Sequence, residues 1–166
     1  VRRTWPDRLI VTLTEHRALG VWEDGRLLSD RGELFVANPD EAEIYGALPE
    51  FSGPAHAAKD AARRYYEFSA QLATLSLRID AIDISDRKAW SLRVSSETSD
   101  ASPSRIELGR DGTAAPLGGR VAQLIAAYPQ IAAQVGSPPA RIDARYANGL
   151  AASLPAKGPA TKTSRP

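Results

Sequence analysis

Apolar residues in this chain repeat with two periods, and the order in which those periods follow one another restricts the fold more than any single motif. Ala58, Ala61, Ala62, Tyr65, Phe68, Leu72 and Leu75 recur at helical spacing, opposite Lys59, Asp60, Arg63, Arg64 and Glu67. The pattern predicts an amphipathic helix over residues 54–75, with Pro54 suited to its first position. Leu117, Val121, Leu124, Ile125, Tyr128, Ile131 and Val135 repeat the helical stripe, with Asp111 as its cap. Gly118-Gly119 weakens the start of this second helix, and Pro129 predicts a kink or break at Tyr128-Pro129.

Outside these two segments the period is two. Leu9, Val11 and Leu13 alternate with Ile10, Thr12 and Thr14, behind a Pro6 that needs no ladder donor. Arg17 to Trp22, Arg26 to Leu28 and Glu33 to Ala37 follow as short extended stretches joined by turns at Asp24-Gly25 and Asp30-Arg31-Gly32. Residues 38–53, with Pro39, Pro49 and Gly53-Pro54 as breakers, read as a loop. Leu77 to Ile84 is a strand with one ambiguous end. Trp90, Leu92 and Val94 share one face of the next, and Ile106 and Leu108 mark a third, after a polar tip at 97–104. Strands, helix, three strands, helix and two strands predict an α+β fold: a largely antiparallel sheet with both amphipathic helices on one face.

The last two strands raise a physical problem. Ile142, Ala144 and Tyr146 fall on one side of the first, and Arg141, Asp143 and Arg145 on the other. Asn148-Gly149 is a two-residue hairpin signal, so Leu150 to Leu154 runs back beside it. The tail from Pro155 has no apolar period and reads as disordered, over 155–166. The returning strand then has no partner in the chain, although an open edge invites aggregation. Ala147, Gly149, Ala151, Ala152 and Ser153 keep that edge accessible, and Tyr146 is the kind of aromatic anchor that carries binding energy at interfaces. Arg145 and Arg87 supply charge for an acidic partner. A plain terminal hairpin is the bland alternative.

The chemistry that remains is thin. The chain has no cysteine, which excludes disulfides, thiolate metal sites and cysteine nucleophiles. Its two histidines, His16 beside Glu15 and His56 in a helix's first turn, lack metal-ligand spacing, and no cofactor motif is present. Gly118-Gly119-Arg120 is a weak hint of an anion-cradling turn. With 21 Lys+Arg against 20 Asp+Glu, the charge is too balanced for a domain that grips nucleic acid. Arg63-Arg64-Tyr65-Tyr66 mixes basic and aromatic residues, but helical geometry splits it into a solvated face and a core tyrosine. No signal peptide or membrane-spanning run is visible. The chain starts at Val1 in VRRTWPDRL, which reads as running structure, so a fragment or processed product of a longer protein is expected.

Several short stretches, in shared order, resemble the bacterial FtsQ/DivIB cell-division family. They are Trp5-Pro-Asp-Arg-Leu9, Thr14-Glu-His-Arg-Ala-Leu-Gly-Val-Trp22, Gly32-Glu-Leu-Phe35, Leu48-Pro-Glu-Phe-Ser-Gly-Pro54, Ala89-Trp90-Ser-Leu92, Ile106-Glu-Leu-Gly-Arg110, Tyr128-Pro129 and Arg145-Tyr146-Ala-Asn-Gly149. The resemblance implies a non-enzymatic scaffold of the divisome, without cofactor, on the periplasmic face of the bacterial inner membrane at the division septum. A single-pass anchor would lie in a preceding region with a cytoplasmic N-terminus. It implies the end of a POTRA domain at residues 1–20 and a β domain at 21–154. It further implies recruitment of FtsB and FtsL, among other divisome proteins, with the C-terminal end of FtsB adding a strand to the last strand of the β domain. Tyr146 matches the family's partner-binding tyrosine, Asn148 and Gly149 the turn after it, and Arg87 an arginine that pairs with a partner glutamate. Ala144 stands where well-studied members have Leu, and Ser153-Leu154 where they have Gly-Trp. Strand addition would use backbone groups of Leu150, Ala151, Ala152, Ser153 and Leu154, with Tyr146 and Leu154 packing on the incoming side chains. Two rivals are a periplasmic hydrolase using His16 and a nucleic-acid-binding module.

Overall fold

The computed structural model describes residues 2–4, 8–10, 15–42, 46–112, 116–135, 138–146 and 149–153. The readings made above for Trp5, Pro6, Val11, Leu13, Asn148, Leu154 and the tail fall outside these residues. β1 (Arg2–Thr4) and β2 (Arg8–Ile10) pair antiparallel as a ribbon of their own. The remaining nine strands form one sheet.

That sheet is nucleated by hairpins and completed by crossovers. β3 (Ala18–Trp22) turns at Asp24-Gly25 into β4 (Leu27–Ser29), with Gly25 at φ +85° and Arg26 clamped onto the Asp24 carboxylate. β4 then pairs with β5 (Leu34–Phe35). β3 spans residue 20, so residues on both sides of the expected domain boundary share one strand of the large sheet. A short helix, α1 (Pro39–Ala42), follows.

The segment read as a loop contains a strand. β6 (Glu50–Ser52) lies between β3 and β7 (Leu77–Ile84), parallel to both. Three residues hemmed by Pro49 and Gly53 are too few to show alternation, yet Phe51 is buried beneath Trp22 and Tyr65. Gly20 admits that ring; a Cβ there would collide with it. Chain return through α2 (Ala58–Leu72), flanked by 3₁₀ turns at 55–57 and 73–75, makes the β6–β7 pair parallel. The predicted helix over 54–75 is therefore formed, with Ala58, Ala61, Ala62, Phe68 and Leu72 buried.

β7, β8 (Ala89–Ser96) and β9 (Ser104–Arg110) form an antiparallel meander. The ambiguity at the end of β7 has a physical origin. A bulge between Ile79 and Ala81 switches the parity of the strand, so Ile82 and Ile84 join Leu77 and Ile79 in the core while Asp83 faces out. α3 (Leu117–Val135) packs beside α2, and its buried stripe of Leu117, Val121, Leu124 and Tyr128 joins the same core. Asp111 caps it at a distance, its Oδ1 accepting the Leu117 N–H at 3.1 Å. The break expected at Pro129 does not occur; α3 is one helix through that residue. Proline there forfeits a single ladder bond, and the buried residues before it hold the helix on the sheet.

Gly118 lies where α3 meets α2, since a Cβ there would approach the Glu67 carboxylate to 2.5 Å. A carboxylate, not an anion-binding hollow, therefore faces Gly118, and a Cβ on Gly119 would meet only ordinary contacts with Pro116. Arg64 is likewise no solvated charge. Its side chain is 13% exposed, pairs with Glu67 at 2.9 Å and Asp111 at 2.5 Å, and lies over the Phe68 ring.

After α3, β10 (Arg141–Asp143) returns parallel to β9, and β11 (Ala151–Ser153) pairs antiparallel to β10. The spatial order is β11-β10-β9-β8-β7-β6-β3-β4-β5. One face carries the two long helices. The other bears hydroxyls and charges that pair across strands, such as Ser52 on Asp83 at 2.7 Å and Arg105 on Glu107 at 2.8 Å.

Candidate functional site

The end of the sheet at β11 is built by three local features. Ile142 and Ala144, both fully buried, fix β10 onto the core. The Ala144 N–H donates to the Glu107 carbonyl at 2.9 Å, so the even residues of β10 turn their pairing groups toward β9. Arg141 and Asp143 therefore face β11, pairing with Ser153 and Ala151. Ile142↔Ala152 is then the pair whose backbone groups point away from each other, which turns the N–H and C=O of Ala152 to the outside. Among the described residues nothing pairs with that outer side. Ala151, Ala152 and Ser153 are all exposed.

Asp143↔Ala151 is the innermost described pair of the hairpin, and the turn read at Asn148-Gly149 includes a residue outside the described ones. Leu150 is not in the strand; it is half-buried and packs against the core. Tyr146 departs most. Alternation places it with Ile142 and Ala144, yet it is 60% exposed.

Arg145 is held by Asp143. Its Nε donates at 2.9 Å to Oδ1 and its Nη2 at 2.6 Å to Oδ2 of that carboxylate. The charged hydrogen bonds raise the guanidinium above its ordinary value and hold the Asp143 carboxyl below the usual carboxylate range. Arg145 also helps line an open depression of about 640 Å³ with Ala89, Gly109, Arg110, Asp111 and Arg120. Arg87 is exposed in the β7–β8 turn, where Lys88 takes φ +59° and Ala89, which lines the depression, pairs with Arg110. The fold thus gathers Arg145, Tyr146, Gly149 and β11 at one end of the sheet, while Arg87 lies in the β7–β8 turn, with β8, β9 and β10 between β7 and β11.

Sequence reading names Arg120 only in an anion-cradling turn and Gly109 only within a motif, and misses the contact between them. Arg120 donates through Nη1 to the carbonyls of Leu108 and of Arg110, the latter at 2.9 Å. Gly109, at φ +74°, sits in a bulge of β9 against Trp90. A glycine inside a strand pattern is itself a bulge signal.

His16 does not pair with Glu15. Its ring stacks on Phe35 at 4.8 Å, and its Nδ1 lies 3.5 Å from a Glu33 carboxylate oxygen. Among the described residues no group of three or more His, Asp or Glu could hold a metal, and no helix is long and apolar enough to cross a membrane.

A helix-backed mixed sheet with β5 and β11 as its edge strands defines an α+β module. A model of the family described as "Cell division protein FtsQ/DivIB, C-terminal" matches residues 20–145. The chain belongs to this cell-division family. It is 36% identical over 151 residues to the cell division protein FtsQ of Burkholderia pseudomallei, covering 91% of this chain and 57% of that protein. To FtsQ of Coxiella burnetii it is 30% identical, with the same coverage of 91% and 57%. To FtsQ of Bordetella pertussis it is 28% identical over 93% of this chain and 59% of the relative. The chain thus spans under three fifths of the length of these relatives.

Proposed function

We propose that this chain is the part of a divisome scaffold that recruits FtsB, and with it FtsL, by accepting a strand along β11. The observation that carries the reading is the outward-facing N–H and C=O of Ala152 on the last strand of the sheet, with Tyr146 exposed beside it. Main-chain bonds along β11 supply affinity, and side-chain contacts supply selectivity. Tyr146 is the aromatic anchor. Arg87, free of the Asp143 pairing that holds Arg145, sets register by meeting a carboxylate on the incoming segment. Arg145 contributes after exchanging Asp143 for a partner group. Asn148 and Leu154 complete the assigned surface with Gly149, Leu150, Ala151 and Ser153.

In this reading the module binds rather than catalyses and needs no cofactor or nucleic acid. It works on the periplasmic face of the inner membrane at the septum, anchored by a single N-terminal span that precedes this chain. In the same reading residues 1–20 are the end of a POTRA domain and residues 21–154 the β domain.

The test is co-purification with the periplasmic part of FtsB, comparing wild type, Tyr146→Ala and Arg87→Glu. The reading predicts strong capture by wild type and reduced capture by both variants. Equal capture by all three overturns the site assignment.

A further inference from the structure

The exposure of Tyr146 needs a cause, because the alternation of β10, continued three residues past Asp143, would turn it inward. Ile142 and Ala144 obey that alternation and are fully buried. The last bond of the β9–β10 ladder is the Ala144 N–H to the Glu107 carbonyl, at 2.9 Å. One residue further along β9 the backbone is already engaged. Arg120, from the first turn of α3, binds the Leu108 and Arg110 carbonyls with a single Nη1. Between those carbonyls lies Gly109, bent by its positive φ of +74°. A Cβ on Gly109 would stand 3.0 Å from the Arg145 Cγ and 3.4 Å from the Arg120 Nη1. The Arg145 stem therefore lies across Gly109, where the next ladder rung would otherwise form.

We infer that Arg120 is a positioning residue: together with Gly109 it ends the β9–β10 ladder after Ala144 and thereby turns Tyr146 out of the sheet to the surface. Arg120 binds its own chain's carbonyls through Nη1 alone, and its effect on a partner is exerted through Tyr146. Its hydrogen bonds hold the carbonyls on either side of Gly109, the residue that the series Arg105, Glu107 would bring to the next rung. Only the consequence for partner capture rests on the strand-addition reading; the control of Tyr146 does not.

Two measurements test this. In the wild-type chain, amide exchange is compared at Ala144 and Tyr146. The Ala144 amide is expected to be protected and the Tyr146 amide to exchange freely. Equal protection at both overturns the inference, since the ladder would then continue. Next, Arg120→Met and Arg120→Lys are labelled with 3-fluorotyrosine, and the Tyr146 fluorine signal is followed with a soluble quencher or paramagnetic probe. Arg120→Met is expected to lose most of the probe's effect on Tyr146 and to capture the FtsB fragment several-fold less well. Arg120→Lys, which keeps one donor within reach of the carbonyls, is expected to recover part of both. Gly109→Ala, which pushes on Arg145 instead, is expected to shift the same signal. An unchanged Tyr146 signal in a cooperatively folding Arg120→Met overturns the inference. If the signal changes while Tyr146→Ala itself leaves capture intact, the positioning role stands and the strand-addition reading falls.

Discussion

The two ends of the nine-stranded sheet are finished differently. At one end, β5 offers only Leu34 and Phe35, both half-buried, with His16 stacked on the Phe35 ring. Past Val36, which is 88% exposed, the chain leaves toward Pro39 and α1. At the other end, β11 presents three exposed small residues, without charge or proline, next to an exposed tyrosine. Shortness, cover and proline are ordinary means of blunting an edge. β5 combines shortness with the His16 ring stacked on Phe35, whereas β11 uses only shortness. The contrast shows that the fold can protect an edge, so the openness of β11 is a property of that end and not of the sheet. Both ends nonetheless share one local device, an Asp-x-Arg clamp: Asp24 with Arg26 and Asp143 with Arg145.

The largest expected effect that separates the ends is on binding. Truncating an interface anchor commonly costs 2 kcal/mol or more, so Tyr146→Ala should weaken capture of the FtsB fragment about thirtyfold. Val36→Ala, at the opposite edge, should leave it unchanged; titration of both variants against the same fragment checks this. A comparable loss from Val36→Ala would erase the contrast.

Phe35→Ala should show the reverse pattern. It removes a half-buried ring and its stacking on His16, at a cost of about 1–2 kcal/mol in unfolding free energy. Capture should be unchanged once folding is complete, as denaturant titration alongside binding would reveal.

Proline scanning of β11 sharpens the comparison by one residue. Ala152→Pro removes an outward donor and should weaken capture about fivefold, the worth of one net hydrogen bond of about 1 kcal/mol. Ala151→Pro removes a donor that faces β10, so its cost should fall on the protection of the hairpin instead. Identical behaviour of the two would contradict the inferred alternation.

The smallest effect is on pH. Hydrogen bonds from Arg145 and Arg26 hold the Asp143 and Asp24 carboxyls below the usual range. A carboxyl depressed in the folded state stabilises above its unfolded pKa of about 3.9, and that contribution is lost as pH falls through the folded value. Acidification should therefore loosen both hairpins slightly, through exposed groups screened by solvent. Asp143→Asn should abolish the effect at β10–β11 only, and Asp24→Asn at β3–β4 only, read by amide chemical shifts against pH.

Much of the architecture is legible without coordinates, where a period runs long enough to declare itself. Both long helices, the Asp24-Gly25 turn and the meander of β7 to β9 are of this kind. The misses share a cause: they depend on contacts across the sheet that a local pattern does not carry. β6 is three residues long and stands between two parallel neighbours, so its pairing is set by Trp22 and the return through α2. The bulge in β7 makes alternation fail midway, and no residue in Arg78-Ile79-Asp80-Ala81 marks it. Arg64 reads as a surface charge until Asp111, 47 positions away, closes on it. At the candidate site, the small residues of the edge and the aromatic beside it are visible in sequence. The outward turn of Tyr146 is not, because it follows from Arg120 and Gly109 on other elements.

The central claim is that β11 takes up a strand from another polypeptide, and the amide of Ala152 reports on it most directly. In the free chain this N–H should exchange without protection. On addition of the periplasmic part of FtsB it should become protected, while the amide of Ala151, already bound to β10, changes little. Formation of a stable complex in which the Ala152 amide still exchanges freely would contradict the account.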